Sequence, residues 1–534
     1  MRRPRAPPPY SPPMQMSIAR ASIIMIVTLI ASRILGWLRL SVIGAQFAGD
    51  PRELDAFIAA FRIPDTIFNL LVAGALASAF IPVFTSYLAR EREDEAWRVA
   101  SSVLNTLILL LLAFSVLMWL AAPFVVPLIA QFDDPGQVVL TIELTRVMLL
   151  SPIFMGLSAL FTGVLNSYRQ FLTGATAPLV YNAVIILFAL FAAPFLGISA
   201  LAYGVVGGAL MMWLVQIPEL AFRRTRYAFR LDLAHPGVRE IARLAGPRMV
   251  GLGAVQLVLI VDTFLASQME PGSLIALTYG FQLMLLPLGV FSIAISAAVF
   301  PSLSHYASLG QQLRMRDALQ QAIRWILFLT LPTAIVMIVL RRPIVHLLFQ
   351  YNQFGEALRE DTAEVFLYYS LGLVGHALVQ ILGRAYYASK DSQTPLALTL
   401  ISIGANIVLA VLLAAPLGVI GLALANSIAT LLEATLLFTL LAPRVRLRLG
   451  GLGVSTLKQV AAALTAGIAM FVFIRVTNIP FDLALDPPKL LLLLQTMLAM
   501  GVGFGTYAVA SMLLRVSELQ ELLAVVRSRL GRAR

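Results

Sequence analysis

The chain alternates long apolar runs with short polar breaks. The first run, Ile23-Ile24-Met25-Ile26-Val27-Thr28-Leu29-Ile30, continues into Ser32-Arg33-Ile34-Leu35-Gly36-Trp37-Leu38-Arg39, and similar runs recur to the C-terminal region. A helix needs about 20 apolar residues to cross a hydrocarbon core. Turn signals such as Asp133-Asp134-Pro135-Gly136 and Met269-Glu270-Pro271-Gly272 separate the runs. The pattern predicts an all-α polytopic membrane protein of about fourteen transmembrane helices. They fall roughly at 21–47, 54–88, 97–131, 138–167, 174–195, 198–222, 239–268, 273–306, 315–340, 361–388, 394–415, 418–442, 455–477 and 489–514.

A repeat runs through this pattern. Thr176-Ala177-Pro178 precedes a span ending at Ala193-Pro194-Phe195-Leu196-Gly197, and Ala200-Leu201-Ala202-Tyr203-Gly204 opens another. Later, Gln393-Thr394-Pro395 precedes a span ending at Ala415-Pro416-Leu417-Gly418, and Gly421-Leu422-Ala423-Leu424-Ala425 opens another. An even number of spans separates the copies, so they share one orientation, as in parallel transporter repeats. The expected division is two six-helix lobes, 16–235 and 236–450, plus a final helix pair at 451–515. Chance recurrence of Ala-Pro and Leu-Gly in an Ala/Leu-rich chain is the bland alternative.

Charge adds orientation. Basic residues concentrate in alternate loops, including Arg90, Arg92, Arg169, Arg223, Arg224, Arg226, Arg230, Arg314, Arg316, Arg444, Arg446 and Arg448. The opposite loops hold few, among them Arg52, Arg341, Arg342, Arg359 and Lys489. The positive-inside rule then places both termini in the cytosol. The basic, Pro-rich stretch 1–15 reads as a cytosolic tail and 516–534 as a second one, either a surface-lying amphipathic helix or a solvated end.

Composition removes other classes. The chain is 59% hydrophobic and 12% charged, with no cysteine and four histidines. A soluble globular class, a disulfide framework, a thiolate metal site and a histidine metal centre are therefore excluded. No phosphate-cradling glycine loop, nucleophile elbow or metalloprotease pair is present, so a transporter without cofactor, rather than an enzyme, is expected. The loops are too short for an ATPase domain, which leaves ion or voltage gradients to drive any active transport.

The candidate chemistry lies in charges inside apolar spans. Each costs at least about 2.5–3.5 kcal/mol in hydrocarbon unless it faces a cavity or a partner. Arg33 and Arg39 interrupt the first span. In the second, Asp55, Arg62, Asp65 and Asn69 make one helical stripe, with Pro64 freeing a carbonyl. A guanidinium donates two hydrogen bonds to a phosphate at once, so a wet cavity lined by arginines favours an anionic, phosphate-bearing lipid headgroup. The competing reading is that Arg62 and Asp65 only neutralise each other. Asp262, Asn406 and Asn426 form a possible site for a monovalent cation or proton, or else hydrogen-bond between helices. Glu143 and Arg146 read as a local pair and His376 as a packed histidine.

Several stretches carry a resemblance. Ser32-Arg33-Ile34-Leu35-Gly36-Trp37-Leu38-Arg39, Leu54-Asp55-Ala56-Phe57-Ile58-Ala59-Ala60-Phe61-Arg62-Ile63-Pro64 and Gly74-Ala75-Leu76-Ala77-Ser78-Ala79-Phe80-Ile81-Pro82-Val83 resemble the MurJ (MviN) family. So do Leu165-Asn166-Ser167-Tyr168, Pro301-Ser302-Leu303-Ser304, Pro343-Ile344-Val345-His346-Leu347-Leu348-Phe349 and the stretch Arg384 to Pro395. The resemblance implies a member of the multidrug/oligosaccharidyl-lipid/polysaccharide exporter superfamily in the bacterial inner membrane. It further implies a flippase that moves lipid II, the undecaprenyl-pyrophosphate-linked peptidoglycan precursor, from the cytosolic to the outer leaflet by alternating access. The last two helices would offer a lipid-tail groove. By motif position Arg33 and Arg39 match the family's first-helix arginines, Asp55 its second-helix acid and Arg62 the basic residue before Pro64. The chain departs from the family at Leu40, Phe68 and Gln282, where an acid, an arginine and an arginine are usual. Lipid II and membrane lipids are the implied partners of a monomer that takes no nucleic acid. A cation-coupled exporter of small amphipathic compounds and a non-transporting membrane scaffold are the alternatives.

Overall fold

The computed structural model describes residues 18–73, 79–222, 226–477 and 488–532. All regular elements among these residues are helical. In the first half they are α1 (Ile18–Phe47), α2 (Pro51–Phe68), α3 (Ile81–Ala89), α4 (Glu93–Ile129), α5 (Pro135–Met148), α6 (Ser151–Ser167), α7 (Leu172–Leu187), α8 (Ala193–Leu196), α9 (Ser199–Leu214) and α10 (Ile217–Phe222). The second half contains α11 (Pro236–Ala266), α12 (Ser273–Pro287), α13 (Ile293–Ser308), α14 (Gln312–Val339), α15 (Arg341–Phe349), α16 (Glu356–Leu371), α17 (Leu373–Ala388), α18 (Gln393–Leu417) and α19 (Val419–Val445). The chain closes with α20 (Leu449–Val476), α21 (Lys489–Leu513) and α22 (Ser517–Arg532). The stretch 1–15, along with Arg223 and Arg224, lies outside the described residues.

Ten helices among the described residues are long and apolar enough to cross a membrane, or twelve if each of two bent pairs is one span. The expected fourteen therefore require α1 and the charged α2 to cross as well. On α4 the exposed large apolar residues run from Leu109 to Leu128, including Phe114, Trp119 and Phe124. Twenty helical residues rise about 30 Å, the thickness of a hydrocarbon core.

The two halves repeat local backbone features at a near-constant spacing. Gly197, after α8, has φ 56° and ψ −143°, and Gly418, after α18, has φ 57° and ψ −141°. Arg169, after α6, has φ 60°, and Lys390, after α17, has φ 62°. Glu91 (φ 60°) and Gly310 (φ 67°) follow α3 and α13 in the same way. A five-residue π-helical stretch continues α2 at Asn69–Ala73 and α12 at Leu288–Ser292. π-Segments widen a helix locally and expose carbonyls, a common device beside functional sites.

At the end of the molecule where α1 finishes and α12 begins, the halves are joined by hydrogen bonds. Asp55 accepts from the backbone N–H of Gly272 (2.6 Å) and of Ile275 (3.0 Å). Tyr279 donates to the Leu40 carbonyl (2.9 Å), Ser41 to that of Leu348 (2.7 Å), and the Gln353 amide to that of Ala45 (3.1 Å). Basic residues of the charge-poor loops near this end are paired: Arg341 with Glu364 (2.9 Å), Arg342 with Glu360 (2.8 Å) and Arg359 with Glu356 (3.0 Å). The expected Glu143–Arg146 pair does not form. Arg146 instead lies over the Trp119 ring at 4.7 Å and donates to the Trp119 carbonyl. A cation held against an aromatic face tolerates the lipid boundary better than one held only by an exposed acid.

Candidate functional site

A chamber of about 490 Å³ lies between the halves. From the first half, α1 supplies Arg39, α2 supplies Arg62 and Asp65, and α7 supplies Tyr181. From the second half come Asp262 and Thr263 on α11, Gln282 on α12, Tyr369 on α16 and His376 on α17. Asn406 on α18 and Asn426 and Glu433 on α19 add to the polar lining.

Arg62 is anchored across the chamber. Its Nε donates to Thr263 Oγ1 at 2.9 Å, and that hydroxyl donates to the Leu259 carbonyl. Asp65 and Asp262 both attract its charge, although neither approaches within ion-pair distance. Gln256 donates to Asp65 at 3.4 Å. The guanidinium of Arg39 lies 5.8 Å from the centre of the Tyr181 ring, its Nε buried with no hydrogen-bond partner. Arg62 is thus already balanced, and Arg39 is the less compensated cation.

The second-half wall has its own network. His376 shares a 3.1 Å hydrogen bond with Asn426, and Thr430 lies 3.4 Å from the same ring nitrogen. Thr399 donates to Glu433 at 2.6 Å. By contrast, Asp262 Oδ1 and Asn406 Oδ1 are buried without a partner. Buried oxygens of this kind are costly unless something donates to them or coordinates them. Two hard oxygen donors on neighbouring helices suit a proton or a small hard cation.

Of the residues singled out from the sequence, Arg39, Arg62, Asp65, Gln282, Asp262, Asn406 and Asn426 line this chamber. Arg33, Asp55 and Asn69 are not part of its lining. Arg33 is exposed and borders a smaller crevice of about 130 Å³ with Gly36, Trp37 and Leu286. Its guanidinium sits within 3.0 Å of where a Cβ on Gly289 would project, so the glycine makes room for it. Arg39, Leu40 and Gln282 border both spaces, so the crevice adjoins the chamber. Asp55 is consumed in the joint to α12. Its neighbours Leu54 and Phe57 line the chamber, while the Asp55 carboxylate is turned to the Gly272 and Ile275 amides. Asn69 turns back on its own helix and donates to the Asp65 carbonyl at 3.0 Å. His376, expected as a packed histidine, is in the wall. Tyr181, Tyr369 and Glu433 were not anticipated. Glu433 was readable by the same signal as Asp262, a carboxylate inside an apolar run.

A bundle of membrane-length helices around a largely apolar chamber that holds a few charged side chains, joined at one end, has the plan of a multi-pass membrane transporter. The sequence profile of the family described as Lipid II flippase MurJ matches residues 44–486. The chain belongs to the MurJ family. It is 32% identical over 421 residues to a probable lipid II flippase MurJ of Rhizobium meliloti (strain 1021), covering 77% of this chain and 78% of the relative. It is 30% identical over 434 residues to the lipid II flippase MurJ of Burkholderia cenocepacia, covering 79% and 83%. Among solved structures, lipid II flippase MurJ in an inward closed conformation superposes with a TM-score of 0.77 at 24% identity, covering 92% of this chain and 99% of that one. An inward-facing multidrug resistance MATE family transporter of the MOP superfamily gives 0.63 at 17% identity, covering 79% and 98%. These structural likenesses establish the shared fold.

Proposed function

We propose that this chain is a lipid II flippase, carrying the pyrophosphate-linked headgroup through the chamber from the cytosolic to the outer leaflet. The observation that carries this reading is Arg39, a guanidinium in the chamber wall that forms no ion pair among the described residues, in the same lining as Arg62, Asp65 and Asp262. Arg39 makes the first contact with the pyrophosphate. Arg62 joins once the anion competes with its carboxylates, and Asp65 and Gln282 meet the polar remainder of the headgroup. Arg33, exposed in the adjoining crevice, meets the headgroup as it leaves the membrane side, while the apolar tail stays in lipid. Asn69 acts indirectly, through the backbone of Asp65.

The repeated halves, 16–235 and 236–450, act as lobes that rock about this site, with 451–515 as a lipid-tail groove. Alternating access requires two states of similar energy. The Asp55 joint stabilises the state sealed at the α12 end and must open in the other. Asp262 and Asn406, assisted by Asn426, hold a proton or monovalent cation whose entry changes the balance around Arg62. The protein works as a monomer in the bacterial inner membrane with both termini and the 516–534 tail in the cytosol. The test is replacement of the flippase in a depletable bacterium. This chain is expected to restore growth, while Arg39→Ala inserts normally and does not. Restored growth with Arg39→Ala contradicts the assignment of that residue. Failure of the intact, inserted chain contradicts the function.

A further inference from the structure

The connection between α10 and α11 is not helical over residues 226–232, and it is strapped along α4. Asn105 Nδ2 donates to the carbonyls of Ala228 (3.3 Å) and Arg230 (2.9 Å), and Asn105 Oδ1 accepts from the Tyr227 hydroxyl (2.8 Å). Ser101 Oγ accepts from the Ala228 amide and Ser102 Oγ from the Asp232 amide, each at 3.2 Å. Ser101, Ser102 and Asn105 are buried beneath the strap. Arg226 pairs with Asp94 near the start of α4. Three buried polar side chains of α4 are thus used to hold one piece of backbone in a fixed place.

Beside Arg226 and Arg230, the strap exposes four large apolar side chains. Tyr227, Phe229, Leu231 and Leu233 are 50%, 84%, 48% and 57% exposed. The backbone groups that bond to α4 belong to alternate residues, Ala228, Arg230 and Asp232, as in extended backbone, which places Tyr227, Phe229 and Leu231 on one face. Arg230 is exposed among them and forms no ion pair with the described residues. Water is a poor neighbour for such a row. Its position supplies a better one. Asn105 lies four residues, about 6 Å of helix rise, before Leu109, where the lipid-facing belt of α4 begins. The strap therefore sits at the edge of the hydrocarbon, the zone where aromatic rings and arginines are favoured together.

We propose that residues 227–233 form an interfacial anchor that docks on anionic lipid headgroups, with Phe229 and Leu231 inserted at the acyl boundary and Arg230 on the phosphates. The chain connection between the two halves is thereby tied to one leaflet. The anchor depends on the membrane setting but not on the transported substrate, so it stands or falls separately from the flippase reading.

The chain contains no cysteine, so single cysteines can be labelled cleanly. Phe229→Cys, Leu231→Cys and, as a water-exposed reference, Arg90→Cys are spin-labelled in vesicles of phosphatidylcholine with and without phosphatidylglycerol. Thermal unfolding of each labelled protein in detergent is matched to the parent first. The anchor predicts a several-fold higher ratio of oxygen to nickel-chelate accessibility at 229 and 231 than at 90. It predicts a further rise with phosphatidylglycerol, which Arg230→Gln abolishes. Equal ratios at the three positions overturn the proposal, as does a label at 229 shielded from both reagents, which indicates a protein partner instead. Indifference to phosphatidylglycerol overturns the headgroup contact.

Discussion

The carboxylate of Asp55 accepts the backbone N–H of Gly272 at 2.6 Å, joining the first turn of α2 to the start of α12. With the Ile275 amide also bound to it, this side chain caps a helix belonging to the opposite half. An anion at a helix N-terminus satisfies amides that have no partner of their own and meets the positive end of the dipole. Removing it leaves buried donors unmet, at about 1–3 kcal/mol. Asp55→Ala is expected to lower the unfolding midpoint in detergent and to raise the labelling rate of a cysteine at Ala45, whose carbonyl lies in the same joint. Asp55→Asn, keeping one acceptor oxygen, falls between. Unchanged labelling in Asp55→Ala would show that the joint does not hold the halves together.

Arg39 and Arg62 should respond differently to substitution. A hydrogen bond to a charged group contributes about 1.5–3 kcal/mol, roughly 10- to 100-fold in affinity. Arg39→Ala is expected to weaken binding of a pyrophosphate lipid by that factor with little change in thermal stability. Arg62→Ala removes the bond to Thr263 and leaves Asp65 and Asp262 facing each other, so it should lower both binding and stability. Isothermal titration alongside thermal unfolding separates the two patterns.

Gly197 and Gly418 offer a test of the repeat that touches no side chain. Their backbone lies at positive φ with ψ near −140°, and a Cβ at either would meet nothing within 4 Å. Any cost of alanine is then conformational, about 1–3 kcal/mol for a residue forced into such a region. Gly197→Ala and Gly418→Ala should destabilise by similar amounts. A large difference between their unfolding midpoints would argue that the two turns are not equivalent.

Asp391, in the turn between α17 and α18, gives a pH dependence. The amide and hydroxyl of Thr394, and then Arg444, hold its carboxyl below the ordinary carboxylate range. A depressed folded-state value stabilises the fold above the unfolded-state value and is lost as pH falls through the folded one. Asp391→Asn should therefore lower the unfolding midpoint at neutral pH, and the difference should shrink below about pH 4. A constant difference across the acid range would remove the assignment.

Much of this arrangement was readable in the chain itself. Apolar run length set the helices, and Pro-Leu-Gly punctuation at 416–418 and Pro-Phe-Leu-Gly at 194–197 marked matching turns. Charges inside those runs pointed to Arg39, Arg62, Asp65 and Asp262, because desolvation makes such residues rare without a wet neighbour. Which side of α2 meets the chamber was not readable, for Leu54 and Phe57 line it and Asp55 does not. Periodicity places Asp55 and Arg62 on one stripe, yet one seals a joint and the other lines the chamber. Arg33 lies in a side crevice because of the space left at Gly289, a tertiary fact with no local signature. Tyr181 and Tyr369 look like ordinary apolar-span residues until packing brings them to the chamber wall.

The central claim is that a phosphate-bearing lipid passes through a chamber in which Arg39, without an ion pair among the described residues, meets the phosphates. The most direct measurement is translocation of fluorescent lipid II in vesicles containing only the purified chain, scored by enzymatic access to the headgroup on the far side. The account predicts transfer by the parent chain, little or none by Arg39→Ala and partial transfer by Arg39→Lys, which keeps the charge but loses the two-pronged contact. Equal transfer by the parent chain and Arg39→Ala would contradict it.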